Sequence, residues 1–156
     1  GGNIEVKSEV GVGTQIKVVL NYQLDTSKNE KQDTSKLDLK DKRILLVEDN
    51  EINMEVAEFY LNAVHANVHK AWNGLEAVEK VKEQPNQYSL ILMDIMMPKM
   101  NGDEAAKCIR KINPSIPIVA MSAQSEYSID QTIMNDSISK PIDEQKLNHI
   151  LSKYVA

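Results

Sequence analysis

The sequence predicts an α/β fold of the doubly wound type, in which helices cover both faces of one parallel sheet. From residue 42 to residue 156, short apolar runs alternate with longer stretches whose apolar residues recur at helical spacing. Two of the short runs, residues 44–47 and 90–93, are apolar throughout, as expected for strands buried on both faces. A β-α-β succession of this kind favours a single open sheet with right-handed connections.

Residues 1–22 precede this pattern and show another. Apolar residues alternate with polar ones on both sides of Gly11-Val12-Gly13, a sequence typical of a turn, so we predict a β-hairpin. A hairpin of this size is at best marginally stable by itself. In residues 23–41, lysines and acids are interleaved around three leucines. We predict a solvated linker there, because so few apolar residues cannot offset the entropy of ordering the chain.

Five strands and four helices follow from the patterns of residues 42–156. The strands are predicted at residues 43–47, 67–70, 90–93, 116–121 and 138–139. Residues that share one face predict the apolar side of each helix: Ile52, Val56, Phe59 and Tyr60 in the first; Leu75, Val78 and Val81 in the second; Ala105, Ile109 and Ile112 in the third; Leu147, Ile150, Leu151 and Tyr154 in the last.

Charge and composition exclude several classes of function. The formal charge is −5 at pH 7, whereas a nucleic-acid-binding surface is normally basic, so we expect no nucleic acid partner. No apolar run approaches the roughly 18 residues that span a bilayer, and we expect no direct membrane contact. The chain begins on Gly1 and is expected to be a piece of a longer protein, any membrane anchor of which would lie outside these residues. Its one cysteine, Cys108, excludes an internal disulfide and suits a reducing compartment, so we expect a cytoplasmic location.

Charged and hydroxyl side chains follow the ends of four predicted strands: Glu48 and Asp49 the first, Asp94 the third, Ser122 the fourth and Lys140 the fifth. In a doubly wound sheet the carboxyl ends of the strands form the ligand-binding edge, so these five residues are expected to lie together. Neighbouring acids repel one another unless a cation compensates, and Mg²⁺ prefers such oxygen ligands. With Lys140 as a further positive charge, the cluster suits a phosphoryl group, and Asp94 is the expected nucleophile.

The segment after Asp94 is broken by Pro98 and Gly102. These two residues are expected to keep the loop extended, so that its backbone can offer carbonyl ligands and approach a phosphoryl group closely. A lone aspartate after a strand is more often a helix cap or a turn former than a nucleophile. The other strand-end residues are what favour a nucleophile at Asp94.

Four stretches occur in one order, ILLVEDNEINMEVA, LILMDIMMPKMNG, IVAMSA and SKPI. Together they resemble the receiver domain of two-component response regulators over about residues 42–156. The resemblance implies a flavodoxin-like sheet with strand order 2-1-3-4-5. It further implies that Asp94 accepts a phosphoryl group from a phosphohistidine, and that Ser122 and Lys140 bind the phosphoryl oxygens while Ala123 leaves room for access.

The resemblance also implies a Mg²⁺ site and a partner protein. Asp49 and Asp94 would ligate Mg²⁺ directly with the backbone carbonyl of Met96, while Glu48 would act through water. The Lys140–Pro141 peptide bond is expected to be cis. The acquired phosphoryl group would be relayed to a histidine phosphotransfer protein or held as a conformational switch. Because Met96 cannot orient a water molecule, we expect slow to moderate self-dephosphorylation.

Two stretches resemble parts of hybrid sensor histidine kinases. EDNEINMEVA is similar to receivers attached to such kinases, and GGNIEVKSEVGVGTQIKVVL resembles the closing strands of the histidine-kinase ATP-binding domain, with Thr14 at the position of a threonine near the nucleotide. This implies the chain order kinase core (its end at 1–22), linker (23–41) and receiver (42–156). The kinase core of the same parent chain is then an expected partner. ATP binding by this fragment is not expected, because the nucleotide motifs of that domain are absent, and it would catalyse only its own phosphotransfer.

Two features depart from the receiver pattern. Ser137 stands three residues before Lys140, where the family usually has an aromatic switch residue. The segment from Ser122 to Lys140 is shorter than is common and lacks a clean apolar period, so its helix is expected to be short or irregular. Both features bear on the signalling face that this helix and the last strand usually form.

Two other functions stay open. A Mg²⁺-dependent phosphatase of the haloacid-dehalogenase kind also uses an aspartate at a strand end, but its chemistry requires a second aspartate at the position of Met96. A degenerate receiver that serves only as a docking module would not require the three acids Glu48, Asp49 and Asp94.

Overall fold

The computed structural model describes residues 2–11, 13–20, 37–124 and 128–156, without the side chain of Leu20. The chain divides into two compact units, Gly1–Thr34 and Ser35–Ala156, called here the hairpin unit and the sheet unit. Residues 23–36 of the predicted linker and Val12 of the predicted turn lie outside the described residues. None of the described helices is long and apolar enough to cross a bilayer.

The hairpin unit contains the predicted antiparallel β-hairpin. Strands β1 (Gly2–Glu9) and β2 (Gly13–Leu20) pair so that Ile4 lies opposite Val18 and Val6 opposite Ile16. Alternation places these four apolar side chains on one face, and all four are exposed. These four side chains form an apolar stripe along the hairpin.

The sheet unit has the predicted doubly wound architecture. It contains β3 (Arg43–Val47), α1 (Glu51–Ala63), β4 (Asn67–Ala71), α2 (Gly74–Glu83), β5 (Leu90–Asp94), α3 (Gly102–Ile112), β6 (Ile118–Ser122), β7 (Asp136–Ser139) and α4 (Glu144–Tyr154). All neighbouring strands are parallel, in the order β4-β3-β5-β6-β7. Counted within this unit, the order is 2-1-3-4-5, as the resemblance implies.

The strands differ from the predicted ones only at their ends. The fourth strand was predicted from residue 116 but begins at Ile118. Pro117 has no N–H to donate, and the N–H of Ile116 instead bonds Oδ1 of Asn113 in the preceding turn. Strand β5 includes Asp94 as its last residue, and all five of its residues are buried.

Side chains of each strand alternate between two cores. In β3, Ile44 and Leu46 pack in the core that contains residues of α1 and α4, whereas Leu45 and Val47 pack in the core that contains residues of α2 and α3. Both faces of the sheet are thereby covered, which explains why this strand is apolar throughout.

Each described α-helix begins at a polar cap. The side chains of Asn50, Asn73, Asn101 and Asp143 each accept a hydrogen bond from the backbone N–H three residues further on. These caps satisfy N–H groups that have no partner within the helix. They fix the start of each helix just beyond the strand ends.

The predicted apolar face of α1 is wrong except at Tyr60, which packs against the core. Ile52, Val56 and Phe59 are 70%, 41% and 70% exposed, and the helix packs instead through Met54, Ala57 and Leu61. Two apolar stripes run along this helix at the same period, so periodicity could not tell which one faces the sheet. In α2, Leu75 is likewise exposed, whereas Ala77 and Val81 are buried. The predicted faces of α3 and α4 are confirmed, since Ala105, Ile109, Leu147, Ile150 and Leu151 are buried.

The packed part of the sheet unit starts upstream of residue 42, the boundary expected from the sequence. Leu39 is only 2% exposed, and its N–H donates to the carbonyl of Val64, 2.8 Å away. Leu37 packs against the same core. Residues 37–41, expected to be linker, therefore contribute to the sheet unit.

Arg110 holds the segment that precedes β7. Among the described residues between β6 and β7, namely 123–124 and 128–135, no α-helix occurs. The guanidinium of Arg110 donates to the carbonyl of Ile133 (2.8 Å), to the carbonyl of Ile116 (2.5 Å) and to Oδ1 of Asn135 (2.7 Å). These bonds tie the segment to the end of α3.

Candidate functional site

The carboxyl edge of the sheet gathers the polar residues that follow the strands. Glu48 and Asp49 come directly after β3, and Asp94 ends β5. Ser122 ends β6, one residue after Met121, which lies opposite Asp94 in the sheet. The N–H of Lys140 donates to the carbonyl of Ser122 at 2.7 Å, which extends the β6–β7 pairing beyond the strand end. The structure therefore brings the predicted site residues to one edge.

Glu48 is a buried acid held from two sides. It is 1% exposed, and its Oε1 accepts from the N–H of Asn50 at 3.3 Å and from the Asn53 side-chain amide at 3.1 Å. Its Oε2 lies 2.6 Å from Nζ of Lys140. Among the described residues, this ammonium is the polar partner of Oε2. One oxygen of this carboxylate is thus anchored to α1, and the other is directed into the site.

Asp94 is buried beside the same ammonium. It is 4% exposed, its Oδ2 lies 2.9 Å from Nζ of Lys140, and its Oδ1 accepts from the N–H of Met96 at 3.3 Å. Burial raises the pKa of Asp94 above its usual value, and the negative charge of Glu48 adds to this rise. The hydrogen bonds from Lys140 and Met96 oppose the rise without cancelling it.

Lys140 is the counter-ion of both buried acids. Burial by itself would lower the pKa of its ammonium, but the hydrogen bonds and charges of Glu48 and Asp94 outweigh burial and leave that pKa raised. Lys140 is therefore a fixed positive charge at neutral pH. The Lys140–Pro141 peptide bond is cis, as the resemblance implies.

The three acids fit a hard divalent cation. One carboxylate oxygen from each of Glu48, Asp49 and Asp94 lies within 4.8 Å of the others, and Asp49 is exposed to solvent. These three negative charges, called here the acidic cup, face one ammonium, so negative charge remains uncompensated. Oxygen ligands of this kind are those that Mg²⁺ prefers, so the donor set of the acidic cup fits this ion.

Gly102 does not have the predicted role of keeping the loop extended. It is the first residue of α3, and its N–H donates to the carbonyl of Ile95 at 3.0 Å. A Cβ at this position would overlap with the backbone carbonyl of Asp94. Glycine is therefore required here because α3 packs directly against the backbone of Asp94.

Two supporting residues were not foreseen from the sequence. Asn50 caps α1, and Asn53 donates to Glu48. The signal for Asn50 was present, since an asparagine before an apolar-periodic stretch is typical of a helix start. The contact of Asn53 with Glu48 has no such signal, because it depends on how α1 is placed against the end of β3.

The chain matches the family of response regulator receiver domains over residues 44–152. It belongs to that family. The match covers the sheet unit from the second residue of β3 to the last turn of α4. The sheet unit is thus a receiver domain of the two-component phosphorelay type.

Relatives and a solved structure share the receiver domain. The chain is 42% identical over 118 residues to the two-component response regulator ORR41 of Oryza sativa, covering 72% of this chain and 93% of that protein. It is 32% identical to the autoinducer 1 sensor kinase/phosphatase LuxN of Vibrio campbellii, in an alignment that covers 99% of this chain. The chain spans only 21% of the length of LuxN.

The solved structure is the receiver domain of the sensor histidine kinase PA1611 from Pseudomonas aeruginosa PAO1, with a magnesium ion coordinated in its active-site cleft. Its sequence is 33% identical, its TM-score is 0.67, and the similarity covers 72% of this chain and 96% of that one. A receiver domain of closely similar fold therefore holds magnesium in its active-site cleft.

Proposed function

We propose that Asp94 accepts a phosphoryl group from a phosphohistidine in a Mg²⁺-dependent reaction, and then relays it or holds it as a conformational switch. The observation that carries this proposal is the position of Asp94, with its Oδ2 2.9 Å from Lys140 Nζ and its carboxylate within the acidic cup. In a member of the receiver family, this arrangement supports phosphoryl transfer to Asp94.

Asp94, Lys140, Ser122 and Ala123 have different roles in the proposed phosphoryl transfer. A P–O bond to Asp94 forms as the P–N bond of the donor breaks, and the donor imidazole keeps the electron pair of that bond. Lys140 is already within reach of Asp94 and would bind the incoming phosphoryl oxygens, together with the hydroxyl of Ser122. Ala123 leaves room for the phosphoryl group to enter. Such transfer depends mainly on positioning and on charge neutralisation.

Glu48, Asp49 and Asp94 would hold Mg²⁺, with the backbone carbonyl of Met96 as a further ligand. Met96 follows Asp94 closely, and its N–H already bonds Oδ1 of Asp94. When bound, Mg²⁺ would supply the positive charge that allows a phosphoryl group to approach these carboxylates. The magnesium in the PA1611 receiver supports this assignment.

The proposed partners are the kinase core of a longer parent chain and a histidine phosphotransfer protein. The alignment with LuxN includes the hairpin unit as well as the receiver, which supports a parent of the hybrid-kinase type. The exposed stripe Ile52, Val56 and Phe59 on α1 supports docking of a helical partner, because it starts three residues after Asp49 and so adjoins the acidic cup. A donor histidine carried by such a partner would lie beside Asp94.

Intact mass spectrometry after incubation with acetyl phosphate and Mg²⁺ tests the proposal. We expect a single phosphoryl adduct on the wild-type chain, none in the presence of EDTA, and none on Asp94→Asn. Asp41→Asn, at an exposed turn, is the matched control and should react like the wild type. An equal adduct on Asp94→Asn would overturn the proposal, and turnover of a generic phosphomonoester would favour a phosphatase instead.

A further inference from the structure

The side chain of Asn53 links the first turn of α1 to the acidic cup. Its amide Nδ2 donates to Oε1 of Glu48 at 3.1 Å, and its backbone N–H donates to the Asn50 side chain, which caps the helix. The hydrogen bond to Glu48 joins a residue on the solvent side of the helix to an acid that is 1% exposed. Asn53 itself contacts neither Lys140 nor Asp94 by a hydrogen bond among the described residues.

The bond from Asn53 engages Oε1, while Lys140 pairs with the other oxygen of Glu48. Oε1 is engaged by Asn50 and Asn53, so Oε2 is the oxygen that meets Lys140. A buried carboxylate without the Asn53 donor could turn and bring both oxygens to the ammonium. Mg²⁺ would then have to compete with Lys140 for the carboxylate of Glu48. The ion pair between Lys140 and Glu48 would be stronger, because charges removed from water attract one another strongly.

We propose that Asn53 is a positioning residue that raises the affinity of the acidic cup for Mg²⁺ by fixing Glu48. This proposal rests on the proposed function in one respect, namely that Mg²⁺ is the ion that binds in the acidic cup. Partners that orient a metal ligand typically contribute 10- to 100-fold in metal affinity. Since Glu48 would keep its bond from Asn50, we expect the lower end, roughly a tenfold weaker Mg²⁺ affinity in Asn53→Ala.

A positioning role can be separated from a structural one at this residue. Asn53 lies at an exposed position of α1, where alanine has a higher helix propensity than asparagine. The backbone N–H that bonds the Asn50 cap is retained in Asn53→Ala. Asn62→Ala provides a matched control, because Asn62 is an exposed asparagine on the same helix and no side-chain hydrogen bond links it to the cup.

The experiment measures Mg²⁺ binding to the full chain by isothermal titration calorimetry. The fluorescence of Trp72, the one tryptophan, gives a second readout, because it adjoins Ala71, whose carbonyl accepts the N–H of Glu48. We expect roughly tenfold weaker binding in Asn53→Ala and in the near-isosteric Asn53→Leu, wild-type binding in Asn62→Ala, and no fall in the melting temperature of Asn53→Ala. Equal Mg²⁺ affinity in Asn53→Ala and Asn62→Ala would overturn the proposal, and so would a weaker affinity matched by a loss of stability.

A kinetic measurement completes the test. The rate of modification by acetyl phosphate should be lower in Asn53→Ala at limiting Mg²⁺ and should approach the wild-type rate at saturating Mg²⁺. A defect that persists at saturation would contradict a role through Mg²⁺ affinity. Failure of the wild-type chain to bind Mg²⁺ would instead remove the proposed function itself, so the two failures are distinguishable.

Discussion

Nζ of Lys140 lies 2.9 Å from Oδ2 of Asp94, in a site where both side chains are largely buried. The same ammonium lies 2.6 Å from Oε2 of Glu48, so one cation serves two buried acids. Lys140 is therefore a stabilising element of the fold as well as a candidate ligand for phosphoryl oxygens.

Replacement of Lys140 by methionine should destabilise the receiver by about 3 kcal/mol at neutral pH, because it leaves buried carboxylates without a counter-ion. Urea unfolding in metal-free buffer measures this loss. Lys153→Met, which breaks the more exposed pair with Asp136, should have only a small effect. Equal losses of unfolding free energy in the two variants would show that the buried ion pair stabilises the fold no more than the exposed one.

The free energy of unfolding of Asp94→Asn should increase relative to that of the wild type as the pH rises above the ordinary aspartate pKa of about 3.9. The pKa of Asp94 is raised in the folded state, so the folded protein binds more protons than the unfolded chain over the interval above the ordinary aspartate pKa of about 3.9. The contribution of Asp94 to stability is thus fully present below that value and is lost as the pH rises through the folded-state pKa. Asparagine does not titrate and avoids this loss.

Urea unfolding of both proteins in EDTA at a series of pH values checks this expectation. Asp41→Asn serves as the control, and its difference from the wild type should stay nearly constant over the same range. A constant difference for Asp94→Asn as well would contradict the raised pKa.

Mg²⁺ should stabilise the receiver against unfolding by mass action, by about 2.7 kcal/mol at a hundredfold excess over its dissociation constant. Asp49→Asn should remove most of this effect, because it deletes the exposed acid of the cup while leaving the buried pair with Lys140 intact. Thermal unfolding with and without Mg²⁺ provides the measurement. An undiminished Mg²⁺ effect in Asp49→Asn would place the ion elsewhere.

Gly102→Ala should destabilise the receiver by about 2 kcal/mol, since its Cβ would overlap with the backbone of Asp94 and force α3 away from β5. Phosphorylation by acetyl phosphate should slow in parallel. Lys107→Ala, at an exposed position of the same helix, is the matched control. Wild-type stability in Gly102→Ala would show that the close packing is easily relaxed.

Leu39→Ala should cost about 2–4 kcal/mol, as is usual for truncation of a buried leucine. For the same reason, a receiver that begins at residue 42 should be less stable than one that begins at residue 36. Denaturant unfolding of the two truncated chains makes the comparison. Leu37→Ala should have a smaller effect, because Leu37 is only partly buried.

The sequence was most informative where a charged residue follows a predicted strand. Glu48 and Asp94 each follow a short apolar run, Lys140 follows a short predicted strand, and parallel pairing brings such strand ends to one edge. That rule is independent of side-chain packing, which explains why the fold and the location of the site could be predicted.

Features that depend on packing could not be predicted in this way. Helix α1 carries two apolar stripes, and the one with Met54, Ala57 and Leu61 is buried while Phe59 is exposed, a choice that depends on how the helix is placed against the sheet. Leu39 lies in a strongly charged segment whose composition masks one buried side chain. The bonds of Arg110 join segments that are distant in sequence and leave no periodic signal.

The placement of Lys140 between two buried acids has a consequence for the speed of the proposed reaction. Because the ammonium is already desolvated and oriented, no large rearrangement of charge or solvent is needed when a phosphoryl group arrives. The free-energy cost of desolvating and orienting the ammonium is met when the chain folds. The chemical step then begins from a preorganised environment.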